Sequence, residues 1–142
     1  MIKNYKYLRY TNLLLLLSIF YFFLQYINNT IYSKIEYIFV FFLIITIILS
    51  QIFWNNPIKN SRIHRIDTIN TRIVMTLCIL YTLIYKFKFS LLFVLLIVII
   101  SSYFSNYYSK QKWCSNKHIF WHGILHIFCF IGTFYLFSPK KS

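Results

Sequence analysis

The sequence predicts an all-α fold, a polytopic transmembrane bundle of about five membrane-spanning helices that forms one domain over residues 1–142. Three observations predict it. Of the 142 residues, 59% are hydrophobic and only 12% are charged, a balance typical of membrane proteins rather than water-soluble domains. Apolar runs approaching the roughly 20 residues that a bilayer requires recur along the chain. Charges gather between those runs rather than inside them. Asp plus Glu number 2 against 15 Lys plus Arg, a formal charge of +13. That placement fits basic loops facing anionic lipid headgroups better than a nucleic-acid surface. Membrane lipids, with anionic headgroups at a basic rim, are the expected partners, and nucleic acid is excluded.

The first helix covers about residues 11–27 and contains LLLLLSIFYFFLQYI. No small-residue cleavage site follows it, so it reads as an uncleaved first span rather than a signal peptide. Asn28, Asn29 and Thr30 close it. The second helix, about 36–54, contains IFVFFLIITIIL and ends on an interfacial Trp54 ahead of Pro57, a residue that a helix interior does not accept. Glu36 reads as its solvated start beside Lys34. The third helix, about 68–85, is opened by Asp67 as an acidic N-cap, with Arg72 snorkelling to the interface. The fourth helix covers about 89–106 and the fifth about 117–137. Five spans place the termini on opposite faces. One face collects ten cations (Lys3, Lys6, Arg9, Lys59, Arg62, Arg65, Arg72, Lys110, Lys112, Lys117) and the other five (Lys34, Lys86, Lys88, Lys140, Lys141). This asymmetry predicts an integral membrane protein with a cytoplasmic N-terminus and an external or lumenal C-terminus.

The chemistry-bearing stretch is KHIFWHGILHIFCF, residues 117–130, which spaces His118, His122 and His126 four residues apart. On a helix these form one narrow strip, extended by Cys129. Histidine is costly among lipid tails and faces a bundle interior, where it meets a partner, a cavity or a metal. Zinc chemistry needs two or three neutral imidazoles, an open position for water and carboxylates that orient the rings. His122 and His126 have the i, i+4 spacing of two ligands to one ion, and His64 and His118 are further candidate ligands. Asp67 is a candidate ligand, orienter or base for metal-bound water, and Ser50 a candidate donor to that water or to a developing oxyanion. The competing reading makes the histidines satisfied polar groups that seal helix contacts, with Asp67 a simple N-cap beside Arg65. Cys78, Cys114 and Cys129 are odd in number without close pairing, so no disulfide framework is expected.

Ser50 near the end of the second helix, Asp67 at the start of the third, and the pair His122 and His126 on the last together resemble a known pattern. It is that of the membrane hydrolase superfamily joining alkaline ceramidases, adiponectin and progestin receptors and Per1-like lipid-remodelling proteins. The resemblance implies a zinc-dependent hydrolase of lipid amides or esters, with its site at the cytoplasmic rim. The chain departs from the family in two ways: Trp54 stands where the family has a third histidine ligand, and about five spans replace seven. Two other functions remain open. One is a non-enzymatic membrane scaffold or interaction protein with structural histidines. The other is a haem-binding membrane protein, with His64 swung inward to oppose the strip.

Overall fold

The computed structural model describes residues 4–139 and is all-helical, with no strand among the described residues. Six helices follow in order: α1 (Lys6–Leu13), α2 (Leu15–Ile27), α3 (Lys34–Asn55), α4 (Arg62–Tyr85), α5 (Phe89–Gln111) and α6 (Asn116–Phe137). α1 and α2 make one span. They join at Leu14, whose φ −56° and ψ −28° remain helical, and the joint tightens into i→i+3 bonds such as Leu17 N–H to Leu14 O at 2.9 Å. Five helical segments are long and apolar enough to cross a membrane. The protein is a small multi-pass membrane protein.

The spans are longer than the apolar runs alone indicate, because serines outside those runs start the helices. Ser61 accepts from His64 N–H at 3.2 Å, opening α4 six residues ahead of Asp67. Asp67 is therefore not an N-cap; it lies inside α4 and is buried. Ser115 opens α6 in the same way, accepting from His118 N–H at 3.3 Å. At α3, Ser33 N–H donates to Glu36 Oε2 at 2.6 Å in a capping box. Likewise α5 continues to Gln111, through residues that read as loop after 106.

α6 occupies the centre of the bundle and packs on α1, α2, α4 and α5, while α3 packs on α4 and α1. One core, around Phe22, Leu43, Val74 and Phe137, fills the half of the bundle where α6 ends. A smaller cluster of Leu8, Phe53, Trp54 and Ile119 fills the half where α6 begins. Many large apolar side chains face outward instead, among them Ile44, Ile48 and Ile52 on α3 and Phe93 and Leu96 on α5. Lipid tails are their solvent.

The two ends of the bundle differ in charge. The end where α1, α4 and α6 begin carries Lys6, Arg9, Lys59, Arg62, Arg65, Lys110, Lys112 and Lys117, all at least partly exposed. At the opposite end Lys86 is buried against Glu36, with Nζ to Oε1 at 2.7 Å. Glu36 is thus neither solvated nor paired with Lys34. Lys3, Lys140 and Lys141 lie outside the described residues.

Candidate functional site

The polar side chains singled out from the sequence gather toward the basic end. Ser50 on α3 donates its hydroxyl to Asp67 Oδ1 on α4 at 2.7 Å, and both residues are buried. One turn further along α3, the Trp54 ring meets His122 of α6 at 5.2 Å between centroids. The imidazoles of His122 and His126 stand edge to face at 4.7 Å, and His118 follows at 5.6 Å from His122. The residues brought together here are up to 76 positions apart, from Ser50 to His126.

Two partners that the sequence did not single out hold the inner histidines. Ser105 Oγ of α5 lies 2.8 Å from His122 Nδ1, and Thr11 Oγ1 of α1 lies 2.9 Å from His126 Nδ1. Each is a tie between α6 and a neighbouring helix. Ser18, Ser101 and Ser109 return their hydroxyls to carbonyls of their own helices. Ser105 instead directs its hydroxyl across to α6.

His64 and His118 play a different, shared part. Each is the third residue of its helix, where a capping box normally carries Glu or Gln. Each backbone N–H is accepted by the capping serine, and each Nδ1 accepts a backbone N–H from four residues earlier: Asn60 N to His64 Nδ1 at 2.9 Å and Cys114 N to His118 Nδ1 at 3.2 Å. Asn60 and Cys114 both adopt left-handed backbone, φ 64° and 54°, which aims their N–H groups back into the helix start. A backbone N–H can only donate, so both Nδ1 atoms are unprotonated. In the neutral ring the proton then sits on Nε2. Neither ring has a free lone pair for a metal in this arrangement.

Residues 53–64 and 113–122 are bound by aromatic packing. The contacts run His64 to Trp113 at 5.2 Å, Trp113 to Trp54 stacked at 6.2 Å, and Trp54 to His122. Phe53 stacks on His64 at 4.8 Å, and Trp113 Nε1 donates to Pro57 O at 3.0 Å. Trp113 thus stands between His64 and the strip, touching His64 at 5.2 Å and His118 at 4.9 Å between centroids. Cys114, in the turn between α5 and α6, has its thiol pushed up to about 11 by burial and is neutral at ordinary pH.

The zinc expectation can be tested against this donor set. His122 and His126 offer two imidazoles. His64 and His118 are committed to caps, Trp54 has no lone pair to give, and Asp67, which accepts from Ser50 at Oδ1, is not gathered with the two imidazoles into one group. No group of three or more His, Cys, Asp or Glu side chains among the described residues is placed to hold one metal ion. The residues present therefore do not fit a zinc centre with three protein ligands. Comparisons with protein-family models, curated proteins and solved structures find no match.

Proposed function

We propose that the chain is a non-enzymatic membrane scaffold in which the histidines hold the bundle together rather than a cofactor. The observation that carries this reading is that all four Nδ1 atoms already have partners. His64 and His118 seal helix starts, while His122 and His126 tie α6 to α5 and α1. The basic end faces the cytoplasmic leaflet and its anionic headgroups. Its cations lack acidic partners among the described residues, since the two acids are engaged by Lys86 and Ser50.

The second reading is the zinc-dependent hydrolase of lipid amides or esters, and one observation favours it. The buried contact of Ser50 with Asp67, beside Trp54 and the His122–His126 pair, has the order of groups that the hydrolase resemblance implies. That reading needs a third ligand from outside the chain's own set.

Metal analysis of the detergent-purified protein, with melting followed in the presence and absence of a chelator, separates the two. The scaffold reading expects far less than one zinc per chain and a melting temperature indifferent to chelator. Near-stoichiometric zinc, lost in a His122→Ala, His126→Ala double variant, would overturn it and make lipid hydrolysis the next assay.

A further inference from the structure

α4 and α5 both pack on α6 but scarcely on each other. Between them lies a shallow, open-sided groove, walled by Met75 and Ile79 of α4 and Leu95 and Val98 of α5 and floored by Cys129 and Gly132 of α6. Its polar atoms are turned away. Thr82 Oγ1 donates to Cys78 O at 2.6 Å and Thr133 Oγ1 to Phe130 O at 2.6 Å. All three helices are spans, so the cleft opens onto lipid tails and its filling is hydrocarbon.

One turn above the cleft, toward the basic end, stands Arg72. It precedes Met75 by three residues and Ile79 by seven, and so shares their side of α4. The side chain is exposed and has no hydrogen bond or ion pair among the described residues. An unpaired arginine inside a membrane helix is expensive. Here it marks a change of composition: α4 before it reads RIHRIDTINT, the more polar part of the helix, and after it IVMTLCILYTLIY, which is predominantly apolar, so the guanidinium can extend toward the headgroups at the basic end. α5 runs antiparallel to α4 from the turn at residues 86–88, so equal rise puts the exposed Ser102 at about the depth of Arg72.

We propose that this cleft is a phospholipid site, with one acyl chain between α4 and α5 over Gly132 and the phosphate on Arg72, assisted by Ser102. The cleft supplies the shape for a chain, and the uncompensated guanidinium supplies the charge that chooses a phosphate-bearing lipid over a neutral one. Nothing in this site depends on the histidines.

The test uses the full chain in detergent, offered dioleoyl phosphatidylglycerol or dioleoylglycerol, with bound lipid counted by native mass spectrometry. A Cβ at Gly132 meets no heavy atom within 4 Å, so Gly132→Phe fills the cleft without a backbone clash. The expected result is one phosphatidylglycerol retained per chain and about tenfold less diacylglycerol. Arg72→Gln should abolish that preference, Gly132→Phe should abolish retention of both, and Arg62→Gln should change neither. Equal retention of the two lipids, or retention untouched by both Arg72→Gln and Gly132→Phe in protein that melts like the parent, would overturn the proposal. The metal analysis above reads none of these quantities, so either idea can fail alone.

Discussion

Glu36 and Lys86 show what a single residue contributes at the end opposite the histidines. Lys86 Nζ reaches Glu36 Oε1 and also donates to Ser138 O at 2.7 Å, so one buried ammonium joins the end of α4 to the start of α3 and the end of α6. Tyr32 donates its hydroxyl to Phe137 O at 2.8 Å alongside. Burial raises the Tyr32 phenol far above its ordinary value, with Tyr21 and Glu36 adding to the effect, so the hydroxyl keeps its proton through the working pH range. Removing one partner of a buried pair strands the other charge. Lys86→Met should therefore cost about 3–5 kcal/mol, and adding Glu36→Gln should recover much of that loss, both measured by reversible denaturation in mixed micelles. A loss of under 1 kcal/mol for Lys86→Met would mean that water reaches Glu36 in the native state. This pair was hidden in the sequence because Glu36 has a nearer cation, Lys34, while its actual partner is 50 positions away.

At the scale of elements, five spans were legible because apolar runs of bilayer length leave few alternatives. The starts of α5 and α6 were legible to within a residue, but those of α1 and α4 were not, because a polar first turn gives no apolar signal. Ser61 precedes a polar first turn, and hydropathy reads such a turn as loop. The histidine strip was legible from its spacing, whereas its partners were not: Thr11 and Ser105 are two ordinary hydroxyls in a chain rich in them. Only packing shows which ones face α6. Gly123 in that strip faces Leu8 of α1, with 3.8 Å left for an added Cβ, so glycine is not required there. If the strip is structural, Ser105→Ala and His122→Ala should be coupled in a double-mutant cycle by about 0.6 kcal/mol, the average for hydrogen bonds between membrane helices, and by no more than about 1.7 kcal/mol. Additive effects would mean that the 2.8 Å contact contributes nothing to docking α5 on α6.

Over the whole molecule, the distribution of charge decides which way the bundle sits. Apart from Arg72, each described cation at the basic end belongs to a loop or helix terminus close to a span, where Lys and Arg count most in setting orientation. The opposite end has Lys34 and Lys88 at the surface, while Lys86 is neutralised by Glu36. The imbalance there is thus steeper than a residue count indicates, since a buried, paired lysine does not address the membrane surface. With the basic end on the cytoplasmic side, as this asymmetry predicts, an odd number of spans would send the C-terminal end of α6 to the external or lumenal side. Fusing alkaline phosphatase and, separately, green fluorescent protein after the last residue and expressing both in a bacterial host should give active phosphatase and a dark fluorophore. Replacing Lys59, Arg62 and Arg65 together by Gln should move part of the population to the reverse pattern, because it removes cations without touching an apolar run. A fluorescent C-terminal fusion in the parent sequence would place the basic end outside, and with it the Arg72 cleft in the outer rather than the inner leaflet.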